Sequence, residues 1–382
     1  MMATKPMRSS RLERLWRSDA RAGGRLLAIP LRGAAGVFRC AAGARNLWWR
    51  WRSTSVGVPV ISVGNLTVGG NAKTPFTLFL AARMQARGLR VAIVSRGYNR
   101  AHGALRAEIV ADHAELLVDP ERAGDEPAMM ARRFTGPIAV ARKRRDAIEL
   151  LLARGPLDAV VLDDGFQHVR LRRDLDFVLI NRERGLGNGW VLPAGPMREP
   201  LRALRRAAAV VITSSDAGLP PTLSARQLEQ IERRRVLHAS VRPSSLVVRD
   251  GSKWRETPPS LTGRRVLAVS GLADPAGFHA MLRELEADLV GVLDFPDHHS
   301  YTVADWQEIA AAARGVDLIV TTEKDLVKLD RFPFTRDSLY ALRVDVTMVP
   351  SDAQALDDII AATLRLPISG ASASQEVPRD AC

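Results

Sequence analysis

The stretch from Pro59 to Pro75, Pro-Val-Ile-Ser-Val-Gly-Asn-Leu-Thr-Val-Gly-Gly-Asn-Ala-Lys-Thr-Pro, limits what this chain can fold into more than any other. A short apolar run enters a turn of small residues, and Leu78, Phe79, Leu80 and Met84 then continue at helical spacing. Val91 to Val94 follow as a second apolar run. Strand, tight loop, helix and strand in that order make a crossover unit, which requires a parallel sheet covered by helices.

The loop itself has chemical content. Consecutive backbone amides that leave a strand and face a helix N-terminus form a cradle for an anion. Thr67, Val68, Gly69, Gly70, Asn71 and Ala72 would supply those amides, Lys73 a point charge, and Thr74 a hydroxyl able to ligate magnesium. The match to the phosphate-loop pattern is imperfect, because Thr67 and Ala72 stand where that pattern has glycine. A glycine-rich turn without a ligand is the competing reading, and the strand–helix–strand context weighs against it.

Similar apolar runs recur at 59–63, 90–94, 137–140, 158–162, 176–180 and 209–213. They are continuous rather than alternating, as strands buried on both faces must be. Residues 214–225 are rich in Ser, Gly and Pro and read as a linker. Further strands are expected at 265–269, 289–293, 317–321 and 339–344, with a helix after Pro275 and another over 352–366. The expected fold is α/β, a phosphate-loop NTPase-like and mostly parallel sheet with helices on both faces, plus a second, smaller α/β domain. The expected boundaries are a basic N-terminus at 1–57, a nucleotide domain at 58–225, a second domain at 226–350, a helix at 351–366 and a disordered tail at 367–382.

The net charge of +13 and a pI near 10.7 call for an anionic partner. Much of that charge lies in residues 1–56, where 12 Lys or Arg stand against Glu13 and Asp19. Arg25, Arg32 and Arg39 share a helix face, leaving Leu27, Leu31, Ala34, Phe38 and Ala41 to others; Trp48, Trp49 and Trp51 follow, interleaved with Arg50 and Arg52. This combination suits a helix lying in a membrane surface, against a helix packed on its own domain or an organellar transit peptide. No apolar run approaches the roughly 20 residues of a membrane span, and no nucleic-acid motif or obligate protein partner is evident. Cys40 and Cys382 alone exclude a disulfide framework.

Two acidic sites stand out. The run from Leu157 to Leu162 ends in Asp163 and Asp164, where a second magnesium ligand for a phosphate loop belongs, at the tip of a neighbouring strand. Both cannot reach one ion from an extended backbone, so at least one is assigned to magnesium. Asp125, within Gly124-Asp125-Glu126-Pro127, is a helix cap or a general base for a hydroxyl nucleophile. Asp294-Phe295-Pro296-Asp297-His298-His299 sets histidines beside carboxylates, which suits proton transfer better than zinc. Arg142 to Arg145 could clamp a phosphate, and Arg198-Glu199-Pro200 closes a turn-rich loop.

Taken together these segments resemble the tetraacyldisaccharide 4′-kinase family. The resemblance rests on Val63-Gly64-Asn65 to Thr74-Pro75, Ser95-Arg96-Gly97-Tyr98, Gly124-Asp125-Glu126-Pro127 and Asp163-Asp164-Gly165-Phe166-Gln167-His168. It continues through Leu192-Pro193-Ala194-Gly195-Pro196, Arg198-Glu199-Pro200, Phe295-Pro296-Asp297-His298-His299 and Thr322-Glu323-Lys324-Asp325. It implies transfer of the γ-phosphate of ATP, with magnesium, to the 4′-hydroxyl of an acylated disaccharide 1-phosphate, a lipid A precursor. Asp125 and His298 match a base-like dyad, and Thr74, Asp163, Asp164 and Glu199 match residues around magnesium and nucleotide. Asn65, Arg96, Arg144, Gln167, His168 and Arg198 are the matching substrate contacts. A peripheral place on the cytoplasmic face of a bacterial inner membrane follows from such a substrate. Ala72 departs from the family's usual glycine. The competing readings are a phosphate-loop GTPase or metallochaperone-like switch, with Thr322-Glu323-Lys324-Asp325 as a guanine motif, and a homologue weakened by Ala72.

Overall fold

The computed structural model describes residues 4–5, 16, 25–97, 100, 106–113, 115–215, 222–250, 253–334 and 338–365. Tyr98 and the tail after Pro367 lie outside them. The strands are β1 (Thr4–Lys5), β2 (Val60–Asn65), β3 (Val91–Ser95), β4 (Glu108–Asp112), β5 (Glu115–Leu116), β6 (Ile138–Val140), β7 (Ala159–Asp163) and β8 (Leu175–Asn181). They continue with β9 (Ala209–Ser214), β10 (Val236–Asp250), β11 (Lys253–Thr257), β12 (Arg265–Ser270), β13 (Asp288–Asp294), β14 (Leu318–Thr322) and β15 (Leu339–Thr347). The helices are α1 (Arg25–Arg52), α2 (Lys73–Gln85), α3 (Pro120–Ala123), α4 (Asp125–Met130) and α5 (Arg144–Leu152). After them come α6 (Ala225–Glu232), α7 (Ala276–Glu284), α8 (Val303–Ala312), α9 (Glu323–Leu329) and α10 (Pro350–Leu364).

All the strands join one sheet, ordered β1-β13-β12-β14-β15-β10-β9-β8-β2-β7-β3-β6-β4-β5, with β11 paired to β10 outside that path. β2, β3 and β7 are buried along their whole length, so their apolar residues meet helices on both faces. Ile61, Ile93 and Val161 pack with Phe76 and Leu80 of α2 in the largest core. Full burial of each such side chain contributes about 1.5–3 kcal/mol.

Two pairings were not foreseen from sequence. β10 runs parallel to β9 through residues 236–240 and antiparallel to β15 through residues 240–248. It thereby joins the two expected α/β blocks edge to edge. Pro243 sits where the β10–β15 register shifts, a bulge position that tolerates a residue without an amide hydrogen. β4 adds an antiparallel strand beside β6 at the far end.

Helix α1 uses two opposite faces. Leu31, Ala35, Ala42 and Asn46 turn inward, with Ala35 buried against Leu66 and Phe166. Ile29, Val37, Leu47, Trp48 and Trp51 are exposed, Trp51 at 82%. At 3.6 residues per turn these five fall within about a third of the circumference, and Arg32 and Arg39 lie beside them. The inward face therefore differs from the apolar set expected from sequence, because Phe38 and Ala41 remain outside the core. No helix among the described residues is long and apolar enough to cross a membrane.

Candidate active site

The phosphate loop begins where β2 ends. Asn65 and Thr67 are buried, and the Asn71 side-chain amide donates to Thr67 Oγ1 at 3.0 Å and to the Gly69 carbonyl at 3.4 Å. These bonds fold the loop over itself, and the Val68 amide donates to the Pro196 carbonyl at 2.9 Å, which pins the loop's entry to the turn-rich segment. Gly69 takes φ 95°, a conformation that suits glycine, and a β-carbon there would strike the Arg184 guanidinium. Ala72 is left-handed too, at φ 56° and ψ 29°, immediately before Lys73 opens α2. The departure from glycine thus falls at a residue whose backbone favours glycine. Its methyl packs on the apolar core.

Strand β7 delivers both carboxylates, in unlike settings. Asp163 is 1% exposed and accepts a hydrogen bond from Thr77 Oγ1 at 3.1 Å. Burial, with Glu126 and Asp164 nearby, pushes its carboxyl up to about 7. Asp164 turns away through a left-handed backbone, φ 50°, to meet Lys73 at 3.7 Å and Arg198 at 3.0 Å. Burial would raise its carboxyl, but Lys73 and Arg198 outweigh it and hold the group below the usual carboxylate range.

The expected substrate contacts form a connected shelf beside this pair. Gln167 donates to the Asn65 carbonyl at 2.8 Å, and Arg198 reaches Gln167 Oε1 at 3.5 Å. Arg144 is 4% exposed, and its Nε is buried without a hydrogen-bond partner. Burial pushes its guanidinium down to about 10, with Asp164 opposing the shift and Arg96 adding to it. His168 is pushed down to about 4 by burial and by Arg144, Arg173, Arg170 and Arg96, so it is neutral near pH 7. A buried cation, Arg144, thus stands among more exposed ones, a setting that favours a multiply charged anion.

Asp125 opens α4. Its Oδ2 is buried, 3.7 Å from His298 Nδ1 and 3.8 Å from Lys328 Nζ. Next to it, Glu126 lies close enough to Asp163 to raise that carboxyl, and α4 packs against α2. These contacts bring the Asp125–His298 pair to the phosphate-loop side of the sheet.

Glu199, expected near magnesium, is 1% exposed with both oxygens engaged: Arg206 binds them at 3.0 and 3.1 Å, and Asn46 of α1 donates at 2.6 Å. Among the described residues no group of three or more His, Cys, Asp or Glu is set to hold a metal ion. Magnesium needs no such cage, since one or two carboxylates plus substrate phosphates satisfy it. Asp163, buried beside two acids whose effect Lys73 only partly offsets, would suit that role, with Thr74 at the start of α2.

Several functional side chains were not found from sequence. Thr77 lies one turn beyond Lys73 and Thr74, and that spacing could have flagged it. Arg184 donates to the Gly70 carbonyl at 3.1 Å and pairs with Asp274 at 3.4 Å, laying a cation across the phosphate loop. Nothing local to Arg184 signals this. In the Thr322–Asp325 string, Lys324 binds Asp297 at 3.0 Å, while Asp325 accepts from the Gly271 amide at 2.8 Å and from Thr322. A guanine base would find those side chains already occupied.

A phosphate loop on a mostly parallel sheet, with a strand-tip carboxylate pair beside it, defines a phosphate-loop nucleotide-binding protein of the kinase type. Residues 27–365 match the family model described as Tetraacyldisaccharide-1-P 4'-kinase, and the chain belongs to that family. It is 41% identical over 362 residues to a tetraacyldisaccharide 4'-kinase of Anaeromyxobacter sp. (strain Fw109-5), covering 92% of this chain and 96% of the relative. The same-named protein of Geobacter sulfurreducens is 42% identical over 319 residues, covering 81% and 85%. Among solved structures, the "apo" form LpxK from Aquifex aeolicus in complex with ATP superimposes with a TM-score of 0.70 at 30% identity, covering 88% of this chain and 99% of that one.

Proposed function

We propose that this protein transfers the γ-phosphate of ATP to the 4′-hydroxyl of a tetraacyldisaccharide 1-phosphate, giving the 4′-phosphorylated lipid of lipid A biosynthesis. The observation that carries this reading is that Asp125 stands 3.7 Å from His298 while its neighbour Glu126 lies close enough to Asp163, at the phosphate loop, to raise its carboxyl. Family membership and the ATP complex of the related structure support it.

In this reading the loop amides and Lys73 hold the triphosphate, and Arg184 and Arg198 add positive charge at its rim. Thr74 and Asp163 would hold magnesium, with Asp164 beside them and Glu199 committed to Arg206 and Asn46; the ion would neutralise charge on the phosphate oxygens. The sugar hydroxyl gives its proton to the Asp125–His298 pair as its oxygen forms the new bond to phosphorus. The bond from that phosphorus to the bridging oxygen breaks, and ADP leaves. Positioning and charge neutralisation carry most of such a transfer. The buried Arg144 and half-buried Arg198, with Arg96, Asn65, Gln167 and neutral His168, would form the side on which the anionic sugar lipid rests.

The exposed stripe Ile29, Val37, Leu47, Trp48 and Trp51 of α1 would enter the interface of the cytoplasmic leaflet, its flanking arginines meeting acidic headgroups. Each is worth about 1 kcal/mol there. Asn46 on the inner face of the same helix ties it to Glu199, so membrane contact and active site share one element. The test is radiolabelled ATP, magnesium and tetraacyldisaccharide 1-phosphate with the purified protein. Label in the lipid is expected, lost in Lys73→Ala and His298→Ala; nucleotide hydrolysis without labelled lipid would overturn the reading.

A further inference from the structure

We infer that Lys328, with Lys324 one turn before it, is the positioning residue that sets the Asp125–His298 pair. Its basis is a set of contacts that the proposed transfer leaves unexplained, and the inference rests on that dyad being the proton acceptor. The two members come from elements far apart in sequence: Asp125 from α4, and His298 from the loop after β13. Their spacing must therefore be set by something that touches both.

Helix α9 does so. Lys324 and Lys328 are four residues apart and share one face. Lys324 Nζ binds Asp297 at 3.0 Å, and Lys328 Nζ donates to the His299 carbonyl at 2.9 Å. The two lysines thus grip the loop on either side of His298. Lys328 also stands 3.8 Å from Asp125 Oδ2 and 2.9 Å from Asp325 Oδ1. One ammonium group is therefore common to the carboxylate of the dyad and to the backbone beside its histidine.

The support behind it is rigid. Lys328 is 11% exposed and lies over the Tyr301 ring at 5.3 Å. Asp325, wholly buried, is fixed by Thr322 and by the Gly271 amide. Glu323 at the start of α9 binds Arg133 at 3.1 Å and Arg343 at 2.7 Å, and α9 packs on α4. The Thr322-Glu323-Lys324-Asp325 string is thereby explained: its acids moor α9, and its lysine holds the loop.

The test compares Lys328→Ala with the charge-neutral double variant Asp325→Asn/Lys328→Met, alongside Asp125→Asn and His298→Ala. Lys328→Ala should lose on the order of 10²-fold in kcat, the cost of an ångström of misplacement, with KM for ATP and lipid unchanged. Ethylamine, filling the space of the missing ammonium, should restore part of that kcat saturably. The double variant, which removes a buried charge with its partner, should fold as wild type yet remain slow. Wild-type kcat in Lys328→Ala, or in the double variant should the single one not fold, would overturn the inference while leaving the dyad standing. Wild-type kcat in Asp125→Asn and His298→Ala would instead remove the dyad itself.

Discussion

Asp163→Asn should make the protein more stable and less able to use magnesium. Asp163 is buried beside Glu126 and Asp164, and its carboxyl is pushed up to about 7 from an ordinary value of 3.8. The folded state therefore binds the proton more tightly than the unfolded chain, so wild-type stability falls as pH rises from about 4 to about 7 and levels off above. Three pH units at 1.36 kcal/mol each set a ceiling of about 4 kcal/mol on the cost of the charged form. Asparagine keeps an oxygen for Thr77, but its new amide must find a partner, at a cost of about 1–3 kcal/mol. A net gain of about 1–3 kcal/mol, or a few degrees in Tm, is expected near pH 8, shrinking to nothing near pH 5, where wild-type Asp163 holds its proton. Thermal denaturation of both proteins across that range measures it, and added magnesium should narrow the gap by supplying the missing counter-charge. Equal Tm values at every pH, or an asparagine variant less stable at high pH, would refute the electrostatic account.

Ala72→Gly frees a residue now held at φ 56°, where a β-carbon costs about 1–2 kcal/mol. KM for ATP should fall by about two- to fivefold as the competent loop becomes better populated; an unchanged or higher KM counts against it. Its Tm should hardly move, because glycine's added chain entropy of about 0.5–1 kcal/mol offsets the relief. Trp48→Ser with Trp51→Ser should weaken sedimentation with vesicles containing acidic lipid, while kcat on detergent-dispersed substrate stays unchanged. Asn46→Ala leaves the buried Glu199 one donor short and should lower Tm by a few degrees, measurable by calorimetry.

The strands β2, β3, β6, β7, β8 and β9 were legible within about two residues because burial on both faces demands unbroken apolar runs. β10 and β11 were not. Arg242, Pro243 and Ser244 interrupt the first where its register against β15 shifts, and Lys253, Arg255 and Glu256 punctuate the second, an antiparallel strand paired on one side only whose side chains partly face solvent. In the candidate site, Lys73, Thr74 and Asp163 stood out in the sequence because a phosphate loop and a strand tip have local spacing rules. Arg184, Glu126 and Lys328 owe their roles to contacts across the chain, to Gly70, Asp163 and Asp125 respectively, which no local pattern encodes. Glu199 shows the same limit from the other side: its string was found, but its partner Asn46 lies 153 residues away.

Sequence alone left open which of two adjacent aspartates meets the ion. Their environments now argue for a division of labour, since neighbouring groups whose affinities for protons are driven apart are suited to different tasks. Asp163 lies at the end of β7 near Glu126 and Asp164, with a threonine hydroxyl as donor, and the charge of Lys73 only partly offsets its burial and those acids. Asp164, rotated by its positive φ, already has Lys73 and Arg198. A divalent cation would gain more beside the less compensated carboxylate, whereas Asp164 would aim Lys73 and Arg198 at the phosphates. Asp164→Asn should therefore raise KM for ATP several-fold, as Lys73 and Arg198 lose their anchor, yet leave the magnesium concentration for half-maximal rate within twofold. Asp163→Asn should do the reverse, shifting magnesium dependence far more than nucleotide affinity. Steady-state titrations of each ligand on both variants separate the roles, and a large magnesium shift in Asp164→Asn with none in Asp163→Asn would reverse the assignment.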